Sequence, residues 1–187
     1  MPLSKKIRFD DCIYQTQITD HSDIKEDVLD EINLTEDIDD VHASKDSFAR
    51  LDWSFSYNLR RPWVEYFLPV FRQQLSVFCK EFGYPTYDVD ALWFQQYQEK
   101  DEHTWHIHSN HYTGVYYLEY QAGCGKTAIR SPYNSEEMEM DVTEGDLIIF
   151  PAHWIHRGMP NSKDRKTIIS FNFNVRCPSE SSSYVER

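Results

Sequence analysis

His103-Thr-Trp-His106-Ile-His108-Ser-Asn-His111-Tyr-Thr-Gly-Val-Tyr-Tyr-Leu118 holds four of the chain's eight histidines. It reads as two short β-strands joined by a turn. Two more histidines close a second stretch, Gly145-Asp-Leu-Ile-Ile-Phe-Pro-Ala-His153-Trp-Ile-His156. Side chains at i and i+2 of a strand share a face, so His106 and His108 can reach one ion if their strand lines a cavity. A third ligand has to come from elsewhere, and His156 is a plausible source. There the Glu144-Gly145-Asp146 turn enters an apolar run, which Pro151 breaks just before the histidine. An H-x-H pair with a remote third imidazole is a donor set for one transition-metal ion.

Outward from these stretches, apolar runs of four to eight residues alternate with turns. They cover Leu92 to Gln98, Trp105 to His108, Gly114 to Tyr120, Lys126 to Arg130, Glu139 to Val142, Leu147 to Phe150 and Lys166 to Val175. Regular short strands of this kind predict an all-β sandwich or barrel. Upstream, Ile7 to Ile18 reads as an edge strand, Asp23 to Ile32 as a short polar helix, and Asp46 to Tyr57 as irregular. The clearest helix runs from Pro62, a favoured first-turn residue, to a stop at Gly83. Val64, Phe67, Leu68, Phe71, Leu75, Phe78 and Phe82 make one apolar stripe along it, and the stripe is expected against the outer face of the larger sheet. Pro69 is expected to kink this helix or break its first turn.

The stretches 106–118 and 145–160, with Arg165-Lys-Thr-Ile-Ile-Ser-Phe-Asn172, resemble the 2-oxoglutarate/iron(II)-dependent oxygenase superfamily. The nearest likeness is to an oxygenase group common in marine bacteria and their phages, where H-x-H precedes a Gly-Val-Tyr-Tyr-Leu-like strand. The resemblance implies a double-stranded β-helix (jelly roll, cupin-like), mainly β with N-terminal helices. Residues 1–88 would be helical or irregular support, 89–176 the jelly-roll core, and 177–187 a frayed tail, all in one domain. It also implies iron(II) and 2-oxoglutarate as cofactors. His106, His108 and His156 would hold the metal, with Arg165, Tyr117 and Tyr97 binding the far carboxylate of 2-oxoglutarate. The implied reaction is hydroxylation of an unidentified substrate with release of succinate and carbon dioxide.

One departure from the superfamily stands out: His108 replaces the usual aspartate. Three imidazoles leave the ion's double charge uncompensated by protein, which strengthens its pull on an anionic ligand and also resembles a three-histidine zinc centre. A metal dioxygenase without 2-oxoglutarate, a zinc hydrolase using Glu102 or Glu119 as base, and a non-catalytic jelly-roll module are the alternatives. Tyr116 and Tyr117 are adjacent, so only one can line the cavity, and the family register makes it Tyr117. His103 and His111 read as structural or surface residues, while His153 reads as either a partner to the metal ligands or a surface residue. Trp93, Trp105, Trp154, His111 and Lys126 are candidates for the mouth.

Gly123-Cys-Gly-Lys-Thr127 mimics the end of a phosphate-binding loop. Tyr120 stands where that loop needs glycine, and the flanking segments read as strands, so it is a hairpin connection. The net charge is −12, with an acidic run at Glu36-Asp37-Ile38-Asp39-Asp40, which argues against a nucleic-acid interface. The partner expected is a small-molecule or peptide substrate. Four cysteines without paired spacing, no signal-like start and no long apolar run predict a cytoplasmic protein.

Overall fold

The computed structural model describes residues 12–36, 38 and 50–176. The start of the Ile7–Ile18 segment, most of the acidic run, residues 46–49 and the serine-rich tail lie outside them. The elements are β1 (Tyr14–Gln17), α1 (His21–Leu34), β2 (Arg50–Leu51), a 3-10 turn at Trp53–Phe55, α2 (Pro62–Phe82), β3 (Tyr87–Tyr97), β4 (His103–His106), β5 (Tyr112–Glu119), β6 (Thr127–Arg130), β7 (Glu137–Glu139), β8 (Asp146–Pro151), β9 (Ile155–Gly158) and β10 (Lys166–Val175).

The strands form two antiparallel sheets. The larger runs β1-β8-β5-β10-β3-β2 and the smaller β4-β9-β6-β7. The chain crosses from the larger to the smaller at Pro151, where the residue that cannot continue a ladder ends β8 and a turn delivers β9. Two antiparallel sheets backed by two N-terminal helices make the double-stranded β-helix architecture that the resemblance implies.

Helix α2 begins on Pro62 and stops at Gly83, which takes the left-handed φ of 73° that glycine tolerates. It runs through Pro69 without the break that is one of the two outcomes expected there. The tight apolar stripe on either side holds the helix against the sheet. Phe67, Phe71, Leu75 and Phe78 are buried against Tyr116, Leu118, Ile169, Phe171 and Phe173 on the outer face of the larger sheet. Phe71 meets Phe171 with ring centroids 4.5 Å apart and planes tilted by 55°, and Phe67 stacks on Tyr116 at 5.1 Å. Each such ring removes enough apolar surface from water to contribute roughly 1.5–3 kcal/mol.

Strand β10 therefore fixes the sense of the whole sheet. Ile169, Phe171 and Phe173 face the helices, so Lys166, Ile168, Ser170 and Asn172 face the barrel interior. There a second cluster, built on Tyr97, Val115, Tyr117, Ile129, Ile148, Phe150 and Ile168, fills the space between the sheets. Tyr116 and Tyr117 divide as their adjacency requires, one outward and one inward.

A buried ion pair anchors the segment before α2. Asp52 is fully buried and accepts hydrogen bonds from the Arg61 guanidinium, from Trp63 Nε1 at 2.9 Å and from the Phe94 backbone N–H at 2.8 Å. The 3-10 turn at Trp53–Phe55 is thereby fastened to both β3 and α2.

Candidate metal centre

His106 ends β4 and stands directly opposite His156 of β9 in the smaller sheet. Cross-strand partners on one face are the closest side-chain neighbours a sheet allows, and these two rings lie with centroids 4.2 Å apart. His108 arrives differently from the shared-strand expectation. The strand stops at His106, and a register shift between His103 and His106 lets both of those residues line the cavity. His108 follows in the next loop, its backbone N–H donating to Ala152 O at 2.9 Å. Its ring lies 5.0 Å from that of His106 and 5.1 Å from that of His156. One nitrogen from each of the three rings lies within 4.8 Å of the others, and among the described residues this is the one cluster with metal-ligand geometry.

The donor chemistry suits an ion. His106 Nδ1 is 2.7 Å from Thr104 O, and His156 Nδ1 is 2.9 Å from Trp154 O. Each bond needs an Nδ1–H donor, which puts the ring's lone pair on Nε2, the arrangement metal-binding imidazoles use. His108 Nδ1 meets the amide of Asn172 at 3.4 Å instead. Burial, reinforced by the neighbouring His106, pulls the pKa of His108 down to about 4 and that of His156 well below its ordinary value. His108 and His156 are thus held neutral at pH 7, as ligands must be. The residues fit a divalent transition metal with three nitrogen donors.

Around the rings the cavity is lined by Trp93, Gln95, Tyr97, Thr127 and Ser170, among others. Deeper in the barrel lies Lys166, 2% exposed. Its Nζ donates to Gly125 O at 2.7 Å and sits 3.8 Å from the centre of the Tyr97 ring. Desolvation pulls its pKa down to about 7. Arg165 does not enter the cavity. Its guanidinium grips both oxygens of Glu119, at 2.8 and 3.0 Å, and reaches Asn33 of α1 on the opposite side of the sheet. Alternation is the reason: Thr167, two residues on, is on that same side and also bonds Glu119. The cation facing inward is the residue one position later, and the outward packing of Ile169, Phe171 and Phe173 is the sequence signal for it.

Tyr97 lines the cavity and donates its hydroxyl to Gln95 Oε1 at 2.9 Å. Tyr117 also faces inward, fully buried, but its hydroxyl donates to Thr127 Oγ1 at 2.6 Å behind the cavity wall. His103 stacks on His106 at 3.9 Å and lines the cavity, closer to the centre than its expected surface place. His111 accepts the Val175 backbone N–H at Nδ1 and is structural. His153 is exposed. Trp105 lies between the guanidiniums of Arg130 and Arg157, and Lys126 pairs with Asp141. The Gly123–Thr127 stretch connects β5 and β6 with no helix following it, as its reading predicts.

No family model matches the sequence, and no curated protein matches it. Solved structures do match. A prolyl-4-hydroxylase from Pseudomonas putida superposes with a TM-score of 0.66 at 12% identity, over 89% of this chain and 94% of that one. The fold is that of the 2-oxoglutarate/iron(II) oxygenases. A prolyl hydroxylase from Trichoplax adhaerens, in complex with a hypoxia-inducible-factor peptide fragment, gives 0.63 at 16% identity over 87% and 83%. A viral collagen prolyl hydroxylase from Paramecium bursaria Chlorella virus-1, in its 2-oxoglutarate complex, gives 0.58 at 16% over 86% and 94%. Within this oxygenase fold, no helix among the described residues is long and apolar enough to cross a membrane.

Proposed function

We propose that the protein is an iron(II)- and 2-oxoglutarate-dependent dioxygenase that hydroxylates its substrate. The observation carrying this reading is the pairing, in one oxygenase-fold barrel, of a three-imidazole cluster with a buried inward-facing lysine. His106, His108 and His156 hold the metal. Lys166 takes over the role that the resemblance gives to Arg165, binding the far carboxylate of 2-oxoglutarate, with the Tyr97 hydroxyl beside it. A lysine suits that task as a compact charge with three donors. Bound together, iron(II) and 2-oxoglutarate supply oxygen activation coupled to oxidative decarboxylation, which yields succinate and carbon dioxide.

The chain's own residues orient and shield. Val115, Ile148, Phe150 and Ile168 make the apolar packing that excludes water from the barrel. Without a protein carboxylate on the metal, the dianionic cosubstrate is the counter-charge for both the ion and Lys166. The narrower kinship with the marine and phage group rests on the H-x-H spacing and the Gly114–Leu118 strand.

The all-imidazole donor set favours one second reading, a three-histidine dioxygenase that uses no 2-oxoglutarate. That enzyme would have no use for a buried ammonium. A zinc hydrolase is less well served, because Glu119, one of its two candidate bases, is engaged by Arg165 and Thr167 on the far side of the sheet. The test is succinate release from 2-oxoglutarate under air by the iron-loaded protein. It is expected to require iron and to vanish in His156→Ala; no succinate from fully loaded protein would contradict the reading.

A further inference from the structure

Beside the metal centre, and sharing His108 with it, lies an open groove of about 380 Å³. That is the size of a small-ligand site. Among the described residues nine large apolar side chains are exposed, and three of them, Trp53, Tyr57 and Ile107, line this one groove. Concentrating exposed apolar surface in one place costs solubility, and such a patch marks a binding surface.

The aromatic wall is rigidly mounted. Trp53 meets Trp93 edge-on at 4.5 Å, and Trp93 in turn lies 5.9 Å from the His108 ring, so aromatic surface is continuous from solvent to the metal centre. Behind Trp53 the buried Asp52–Arg61–Trp63 network holds the backbone of the same turn.

The remaining feature is Asp90, the one formally charged residue lining the groove among the described residues. Strand β3 carries a bulge there: Asn172 pairs with Ala91 and Phe173 with Val89, leaving Asp90 the extra residue. Leu92 and Phe94 face the helices, so regular alternation would point position 90 at the helices too. The bulge lets Val89 take that apolar place and turns the Asp90 carboxylate into the groove. Bulges re-aim side chains in this way beside functional sites. Asn110 Nδ2 donates to Asp90 Oδ2 at 3.1 Å and sets the carboxylate's direction. A carboxylate at the end of an aromatic wall, with no cation among the described residues that line the groove, is complementary to a hydrocarbon chain ending in a positive charge.

We infer that this groove binds the substrate of the proposed dioxygenase and that the substrate presents a basic aliphatic side chain, its stem along Trp53 and Tyr57 and its charged end at Asp90. The inference rests on the metal-centre reading for the reaction, but not for the recognition.

Calorimetric titration of the metal-loaded protein with N-acetyl-lysine methylamide and with N-acetyl-norleucine methylamide, which lacks the ammonium, tests it. Wild type is expected to prefer the lysine derivative by about tenfold. Asp90→Asn should bring that ratio close to one, and Trp53→Ala should weaken both probes. Equal affinity for the two probes in wild type, binding of neither, or a preference that survives in Asp90→Asn would overturn the inference. Metal content measured on the same samples reads the metal centre separately, so an empty centre with an intact lysine preference would sink only the reaction.

Discussion

Arg165 and Lys166 are neighbours in the chain and lie on opposite sides of the larger sheet: the first holds Glu119 near α1, the second is buried against the Tyr97 ring inside the barrel. Of the two, only the second points into the barrel that holds the imidazoles. Lys166→Met is therefore expected to weaken 2-oxoglutarate binding by about a hundredfold, the loss of a buried charge-assisted contact. Arg165→Ala should leave that affinity within a factor of about three and lower stability by no more than about 1 kcal/mol, since its ion pair is partly exposed. Equilibrium binding to the iron-loaded protein under anaerobic conditions, with a thermal melt of each variant, checks both.

In the proposed dioxygenase, the depressed pKa of Lys166, about 7, would give 2-oxoglutarate binding a pH dependence. Below that value the free protein already carries the ammonium; above it, the site must take up a proton to bind the dianion. Affinity should be flat below pH 7 and fall by up to about tenfold per unit above it. Lys166→Met should remove the slope. A wild-type affinity that stays constant from pH 6.5 to 9 would show that this ammonium does not face the ligand.

Asn172 Oδ1 is buried without a hydrogen-bond partner, beside the one ligand imidazole that no backbone carbonyl orients. With metal on Nε2, His108 carries its proton on Nδ1, and a half-turn of the Asn172 amide brings Oδ1 round to accept it. Asn172→Ala is expected to lower metal affinity by about 10–100-fold, as loss of such a partner does. Competition with a chelator measures this. An unchanged affinity would leave Asn172 no part in holding His108.

Without metal, the depressed pKa values of His108 and His156 make the fold sensitive to acid. His108 has its pKa lowered from 6.5 to about 4 in the folded state, so between those values the unfolded chain binds protons that the fold refuses. Stability then falls as pH drops from 6.5 toward 4. Denaturant unfolding of metal-free protein should show this loss, and His108→Gln should shrink it. A wild-type stability that is level across that window would mean the rings are solvated.

Much of this architecture is legible in the residues. The stripe from Val64 to Phe82, the stop at Gly83 and the strand from Lys166 to Val175 follow from periodicity and turn chemistry. So does the inward turn of Lys166, because large apolar residues at 169, 171 and 173 name the helix side. The family spacing points instead to Arg165, and one residue is the whole difference between the two faces of a sheet. The bulge at Asp90 and the register shift between His103 and His106 have no residue-level signature. Both arise from the pairing of strands distant in sequence, so the groove and the off-strand position of His108 emerge only in three dimensions. At Pro69 packing along the rest of α2 keeps the helix continuous through a residue that removes one of its hydrogen bonds.

The central claim is that His106, His108 and His156 together hold one iron(II) that chelates 2-oxoglutarate. Anaerobic addition of iron(II) and then 2-oxoglutarate, followed by visible absorption, tests it most directly. The account predicts a weak charge-transfer band that saturates at one iron per chain, is lost in His156→Ala and is retained at saturating 2-oxoglutarate in Arg165→Ala. No band in the wild-type protein, or a band undiminished in His156→Ala, would contradict it.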